Sequence, residues 1–159
     1  MAKKSAGLLM YRFNKSVLEV LLVHPGGPFW AKKDAGVWSI PKGEYEPGEE
    51  PLAVARREFK EETGYDATGE FKPLEPLKQP GGKLVSAWAI EGDLDADTIK
   101  SNTFTMQWPP RSGRLAEFPE VDRAGWFPVP EARQKMLKGQ VGFVDQLCKR
   151  IGVDPGSDP

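Results

Sequence analysis

Cysteine is nearly absent from this chain, which has Cys148 as its only one among 159 residues. A single cysteine excludes an internal disulfide framework and a zinc site built on cysteines, and it favours a reducing compartment. A chain of this length can bury a stable core without such crosslinks. We therefore predict a cytoplasmic protein.

Long apolar runs are also lacking. The apolar stretch that follows Lys3 and Lys4 is too short for the core of a signal peptide. No other stretch approaches the length of a membrane-spanning helix. The sequence therefore predicts no membrane partner.

The charges show no excess of either sign, because 22 lysines and arginines stand against 23 aspartates and glutamates. This balance lacks the basic footprint of a protein that wraps a nucleic-acid duplex, so we expect no duplex partner. A small nucleotide-like polyanion is still compatible with it, since such a site needs only a few local cations and a metal ion. The sequence does not indicate the oligomeric state.

The 15 prolines and 17 glycines are dispersed along the chain, and no internal repeat or low-complexity block interrupts it. We predict one domain over residues 1–152 and a frayed tail over residues 153–159. Apolar patterns and turn formers predict strands at 5–13, 17–24, 37–40, 70–79, 83–91, 103–108 and 124–129. Helices are predicted at 130–137 and 141–151, and a turn at Asn14 and Lys15. This order favours an α/β protein with a mixed sheet covered by helices.

The clearest element is a helix that begins at Glu50 or Pro51 and ends at Thr63, after a loop at 42–50. Proline is tolerated in a first helical turn, and Gly64 is placed as a stop. At 100° per residue, one stripe roughly 80° wide should pack on the sheet. The stripe comprises Leu52, Ala55, Phe59 and Thr63.

Three glutamates flank that stripe, because Glu58, Glu61 and Glu62 follow the spacing i, i+3, i+4. Like charges at this spacing destabilise an isolated helix by a few tenths of a kcal/mol per pair. Hard divalent cations prefer carboxylate oxygens, so a bound cation would compensate. The alternative is a solvated charged face. Its counter-charges would be Arg56, Arg57 and Lys60.

Residues 43–65, GEYEPGEEPLAVARREFKEETGY, resemble the Nudix box. The pattern consists of Gly43, five residues, Glu49, seven residues, Arg57-Glu58, an apolar residue, one residue, Glu61-Glu62, one residue, Gly64 and a bulky residue. The resemblance implies a Nudix fold, an α/β/α sandwich around a mixed sheet. It also implies hydrolysis of a nucleoside diphosphate linked to another moiety, with Mg²⁺ as cofactor and Mn²⁺ as a substitute.

By the same resemblance, Glu58, Glu61 and Glu62 are expected to be metal ligands, joined by the backbone carbonyl of Gly43. Glu58 or Glu61 is also the candidate general base. An acidic residue outside the box often binds a further metal or acts as the base in this family. Glu120 is our first choice for that role.

Other residues in and near the box have expected roles as well. Arg57 and Glu49 are expected to orient the glutamates through a salt bridge, and Gly64 to meet a backbone requirement. Glu117 is the second choice for the acidic residue outside the box. The alternative for both Glu117 and Glu120 is a plain loop carboxylate.

Substrate contacts are assigned from charge and from aromatic surface. Lys42 is expected to meet phosphate oxygens, with Arg111 as a further cation. Trp30 and Trp108 border loops rich in glycine and proline, and they are the candidates for stacking on a base. Lower-ranked cations are Lys32, Lys33 and Arg114. The tryptophans expected in the core are Trp88 and Trp126.

His24 has no histidine or cysteine partner near it in the sequence, so we interpret it as a polar strand-end residue.

Three functions compete. The first is an enzyme, with a nucleoside triphosphate or a dinucleoside polyphosphate favoured over a nucleotide sugar because the chain is short. The second is a non-catalytic Nudix-fold module that binds nucleotide for regulation, but such a module would be expected to lose glutamates of the box. The third is a metal-binding helical surface with no nucleotide role, which the placement of Gly43 and Gly64 disfavours.

Overall fold

The computed structural model describes residues 3–154, which form one mixed sheet between two helical layers. The strands are β1 (Lys4–Asn14), β2 (Val17–Pro25), β3 (Lys42–Glu44), β4 (Lys72–Pro73), β5 (Leu77–Lys78), β6 (Leu84–Glu91), β7 (Thr103–Gln107), β8 (Leu115–Pro119) and β9 (Val121–Pro128). The α-helices are α1 (Pro51–Thr63), α2 (Val129–Lys135) and α3 (Val141–Ile151). Short 3₁₀ turns lie at Ala96–Thr98 and Lys138–Gln140.

The main sheet has seven strands, in the order β4-β6-β1-β2-β9, with β3 added to β1 and β5 to β6. β1 and β6 run parallel, and the other pairs run antiparallel. β7 and β8 form a separate hairpin. The connection between β1 and β2 is a two-residue turn at Lys15 and Ser16, both with positive φ, one residue later than predicted.

Each face of the sheet has its own core, because successive side chains of a strand point to opposite faces. Leu9 and Tyr11 of β1 pack in one cluster with side chains of α2 and α3. Leu8 and Met10 pack in the other cluster with α1. The α/β/α sandwich predicted from the resemblance is therefore confirmed.

Helix α1 begins and ends where the sequence predicts. The Glu50 carboxylate accepts a hydrogen bond from the Ala53 amide at 2.9 Å, and Gly64 ends the helix with a φ of 83°. The predicted packing stripe needs one correction, since Leu52 is only partly buried and Val54 is buried. Val54 precedes Glu58 by one helical turn, so it lies on the flank that carries the glutamates. This flank is covered because α1 packs on β3 as well as on β1.

Several strand predictions were wrong in their bounds. Residues 37–40 form only isolated bridges, from Trp38 to Met136 and from Ser39 to Val23. Part of the predicted loop 42–50 is strand β3, which pairs with the edge of β1. The predicted strand 70–79 is reduced to β4 and β5, because Pro73 and Pro76 lack the amide hydrogen that a ladder needs.

The C-terminal helices agree closely with the prediction. α3 has the predicted bounds, whereas α2 begins one residue earlier and ends two residues earlier than predicted. Of the predicted tail, Val153 packs partly buried against the core, and residues 155–159 lie outside the described part of the chain. No helix within residues 3–154 has the length and apolar character needed to cross a membrane.

Candidate metal and substrate site

The glutamate flank of α1 lies against β3. A Cβ atom built on Gly43 would stand 2.1 Å from Cδ of Glu58, so only glycine leaves room for that carboxylate. The amide of Lys42 donates a hydrogen bond to Oε2 of Glu62 at 3.1 Å. Two residues of β3 thus lie directly against glutamates of α1, Gly43 against Glu58 and Lys42 against Glu62.

The carboxylates are crowded and partly withdrawn from water. Burial, followed by the charge of Glu58, raises the pKa of Glu62 to about 8. Burial, followed by the charge of Glu61, raises the pKa of Glu58. Burial also lowers the pKa of Lys42, the lysine beside them. Each shift disfavours the charged form of its group, and burial is the largest cause in all three.

Glu120 belongs to the same group. It stands in the turn between β8 and β9, and its charge contributes to the raised pKa values of Glu58 and Glu62. Its amide donates to the carbonyl of Asn102 at 2.8 Å, and the amide of Asn102 donates to the carbonyl of Glu61 at 2.7 Å. This backbone bridge places Glu120 beside the helix, a proximity that local sequence patterns do not contain.

Glu117 is placed differently from Glu120. It lies on exposed strand β8, opposite Thr105 of the β7–β8 hairpin. The structure therefore groups the first-choice acidic residue, and not the second, with the glutamates of α1.

Arg57 faces the glutamates from their exposed side. Its Nη1 lies 3.2 Å from Oε2 of Glu49, its Nη2 3.9 Å from Oε1 of Glu58, and its Nε 4.0 Å from Oε1 of Glu61. Glu49 is held in turn by the amide of Glu46 at 2.9 Å. The predicted salt bridge between Arg57 and Glu49 is present, and their role in orienting the cluster stays a prediction.

Within residues 3–154, no three acidic, histidine or cysteine side chains already stand around a common point as metal ligands. The donor chemistry nevertheless fits Mg²⁺, because Glu58, Glu61 and Glu62 offer hard carboxylate oxygens from one flank of α1. A divalent cation would also oppose the causes that raise the pKa values of Glu58 and Glu62.

A cavity of about 310 Å³, here called the Trp30 cavity, opens beside this cluster. Its walls are mainly apolar, and they bring Trp30 and Lys42 together with Glu62 and Glu120. The remaining lining residues are Val23, Pro25, Val37, Ser39, Ile40, Val121 and Leu137. A planar apolar group and an anionic group can therefore be bound side by side.

His24 holds the loop that carries Trp30. Its Nε2 lies 2.6 Å from the carbonyl oxygen of Lys33, and its Nδ1 lies 2.8 Å from Oδ1 of Asp122 on β9. The Lys33 amide donates to the carbonyl of Trp30, and the Lys33 ammonium stands 5.0 Å from the centre of the Trp30 ring. Sequence reasoning found only a polar strand-end residue, since Asp122 is distant in the chain.

Trp108 and Arg111 lie outside the lining of the Trp30 cavity, in or beside the turn of the β7–β8 hairpin. The ring of Trp108 packs edge-on against Phe29 at 5.4 Å, and Arg111 is exposed with a φ of 62°. Their roles as substrate contacts stay predictions. The lower-ranked cations Lys32, Lys33 and Arg114 are also exposed.

The tryptophans expected in the core, Trp88 and Trp126, pack partly buried against the core on the α1 face of the sheet.

The family model described as NUDIX domain matches residues 1–147. A mouse protein named asymmetrical bis(5'-nucleosyl)-tetraphosphatase is 35% identical to this chain over 103 residues. The match covers 57% of this chain and 66% of the mouse protein, so it spans slightly less than two thirds of that relative.

Solved structures share the fold. A Caenorhabditis elegans Ap4A hydrolase in a binary complex aligns with a TM-score of 0.63 and 20% identity, covering 95% of this chain and 98% of that chain. The NUDIX domain of Shewanella oneidensis NrtR, crystallised with ADP ribose, aligns with a TM-score of 0.66 and 14% identity, covering 95% and 89%. At these identities the likeness shows the fold alone.

Proposed function

Because this chain belongs to the NUDIX domain family, we propose that it is a Mg²⁺-dependent hydrolase that cuts a pyrophosphate bond in a nucleoside diphosphate-linked substrate. A nucleoside triphosphate or a dinucleoside polyphosphate is the favoured substrate. The name of the mouse tetraphosphatase supports that choice, with a match over 57% of this chain. The cytoplasmic location and the lack of membrane and duplex partners stay predictions.

The observation that carries the proposal is the position of the half-buried glutamates. Glu58 and Glu62 are forced together by α1 and β3, and Glu120 adds its charge from the turn before β9. A folded protein gains no stability from such a cluster unless a cation binds it. The cluster also borders a cavity that fits a nucleotide ring.

Glu58, Glu61 and Glu62 would hold Mg²⁺, together with the Gly43 carbonyl and Glu120. When bound, Mg²⁺ neutralises phosphate oxygens and lowers the pKa of water, and Mn²⁺ can replace it.

The chain's own residues have separate tasks. Glu58 or Glu61 accepts the proton of the attacking water. Arg57 positions these carboxylates, as its contacts with Glu49, Glu58 and Glu61 allow.

The substrate itself is held by other side chains. Lys42 meets phosphate oxygens, and Trp30 stacks on the ring and excludes water from it. Trp108 and Arg111 would contact only a substrate that extends past the Trp30 cavity.

A second candidate function is a non-catalytic module that binds nucleotide for regulation. The fold shared with a NUDIX domain crystallised with ADP ribose favours it. The complete set of box glutamates argues against it, because a module that only binds has no need of a general base.

Turnover separates the two candidates. The protein is incubated with Mg²⁺ and a panel of nucleoside triphosphates, dinucleoside polyphosphates and nucleotide sugars, and the released phosphate, pyrophosphate and monophosphate are measured. We expect the wild-type protein to hydrolyse nucleotide, and Glu61→Gln and Glu62→Gln to lose this activity. Their melting temperatures should stay close to that of the wild type. The exposed Glu131→Gln on α2 is the control for charge removal. Tight binding without turnover would instead support the module.

A further inference from the structure

The glutamate flank of α1 lies between two cavities. Glu62 lines the Trp30 cavity, and Glu61 lines a second, more open cavity of about 460 Å³, here called the Lys100 cavity. Its other lining residues are Arg57, Lys60, Gly64, Lys100, Ser101 and Asn102. A substrate that spans Glu61 and Glu62 therefore contacts both cavities.

The two cavities differ in chemistry. The Trp30 cavity has an aromatic ring and several aliphatic side chains, whereas the Lys100 cavity has three cations, one carboxylate and no aromatic side chain among its lining residues. A planar ring gains contact area only in the first. An anionic group gains charge-assisted contacts in the second.

Charge compensation at the end of α1 does not account for the Lys100 ammonium. The last carbonyls of a helix attract cations, but here the amide of Lys100 donates to the carbonyl of Thr63 at 2.9 Å and the amide of Asn102 to that of Glu61 at 2.7 Å. The Lys60 ammonium lies 3.4 Å from Asp66. Within residues 3–154 the Lys100 ammonium forms no ion pair, so it is free to meet a ligand.

The position of the Lys100 cavity relative to the glutamates is fixed by the backbone. Asn102 joins the carbonyl of Glu61 to the amide of Glu120, and Oγ of Ser101 accepts from the amide of Val121 at 3.0 Å. The 100–102 segment therefore links α1 to the turn that carries Glu120.

We propose that the Lys100 cavity is a second substrate subsite, which binds the free terminal phosphates of a nucleotide whose ring occupies the Trp30 cavity. The inference rests on the proposed function and narrows its substrate class to mononucleotides with a free triphosphate or longer chain. A dinucleoside polyphosphate would place a second ring among lysines, where none of the lining side chains can stack on it.

Steady-state kinetics of Lys100→Gln tests the subsite with a nucleoside triphosphate, a dinucleoside tetraphosphate and a nucleotide sugar. We expect KM for the triphosphate to rise roughly 2- to 5-fold, the range of one exposed charged contact, with kcat nearly unchanged. KM for the nucleotide sugar should stay within about 2-fold, because a diphosphate bonded at both ends has no free terminal phosphate. Lys149→Gln, an exposed lysine on α3, is the matched control. An unchanged melting temperature separates binding from a structural role.

Equal changes in KM for all three substrates, or none, would overturn the subsite while leaving the hydrolase intact. A wild-type protein that hydrolyses no nucleotide would refute the proposed function instead. In that case, calorimetric titration with inorganic tripolyphosphate and Mg²⁺ still tests the subsite. Binding that weakens several-fold in Lys100→Gln supports it, and equal affinities contradict it.

Discussion

The Trp30 cavity and the Lys100 cavity lie beside neighbouring glutamates of α1, Glu62 and Glu61, but are built in different ways. The first is walled by aliphatic side chains from β2 and the 37–40 segment, and its loop is fixed by buried His24. The second is formed by the exposed cations Arg57, Lys60 and Lys100 around the end of α1. Stacking on Trp30 in the first should therefore be insensitive to salt, whereas contacts with the cations of the second should weaken as ionic strength rises. The difference between the two cavities would thus orient a bound substrate, although the site does not close around it.

The largest effect is expected from a change that displaces one of the glutamates on the flank of α1. In Gly43→Ala, the new Cβ would stand 2.1 Å from Cδ of Glu58, so the carboxylate must move. A displacement of about 1 Å can cost roughly 100-fold in rate, so kcat should fall about 10- to 100-fold for every substrate.

The control for that prediction is Gly92→Ala. There the added Cβ would lie 3.0 Å from Cε of the flexible Met10 side chain, beside Tyr11 rather than the start of β1 where β3 pairs, and kcat should be retained. If Gly43→Ala keeps wild-type kcat, Glu58 does not need the position in which the structure holds it.

Trp30→Ala should damage one cavity only. The ring is 40% exposed, and losing a stacked base contact of about 1–3 kcal/mol should raise KM roughly 5- to 150-fold with little change in kcat. Phe29→Ala removes a neighbouring exposed ring that packs on Trp108 outside the cavity. If Phe29→Ala raises KM more than Trp30→Ala does, the substrate ring binds beside the β7–β8 hairpin instead. The predicted role of Trp108 as a substrate contact would then be supported.

His24→Gln should affect the same cavity indirectly. Glutamine cannot make both ring contacts, so the Trp30 loop loses its link to Asp122, at a cost of about 1–3 kcal/mol in the free energy of unfolding. Denaturant unfolding measures this loss, and KM should rise a few-fold. Sodium chloride titration supplies the contrast, because the ratio of the variant KM to the wild-type KM should stay the same as salt rises if only the Trp30 contacts are changed.

The smallest effect is expected from a substitution of Asp34, which follows Lys33 in the loop that carries Trp30. Lys135 and then the Trp38 indole, by hydrogen bonds to its carboxylate, lower the pKa of Asp34. A lowered pKa adds stability above the pKa of the unfolded state, and this contribution is lost as pH falls through the folded value. Asp34→Asn should therefore lower the melting temperature by less than about 3 °C at pH 7, and the two proteins should converge as the pH falls below the lowered pKa of Asp34. A difference that persists in acid would mean that the charge of Asp34 is not its source.

Features that depend on neighbours in the chain could be predicted from the sequence. Helix α1 follows from its proline start, its glycine stop and its apolar spacing, and the bounds of α3 follow from spacing alone. The three glutamates share one flank because helical geometry requires it. These predictions needed no tertiary information.

Features created by distant segments could not be predicted in this way. Strand β3 forms because the edge of β1 offers unpaired backbone groups, and the local pattern of residues 42–44 is that of a loop. Val54 is buried because β3 covers the flank of α1. The Lys100 cavity and the link from His24 to Asp122 both join residues that are far apart in the chain.

Binding of Mn²⁺ in the presence of a non-hydrolysable nucleotide, followed by electron paramagnetic resonance, tests the central claim most directly. The wild-type protein should bind the ion, and Glu58→Gln, Glu61→Gln and Glu62→Gln should each weaken that binding while the fold persists. Glu131→Gln should bind like the wild type. Wild-type protein without Mn²⁺ affinity, or affinity that survives all three changes at the flank of α1, would contradict the account.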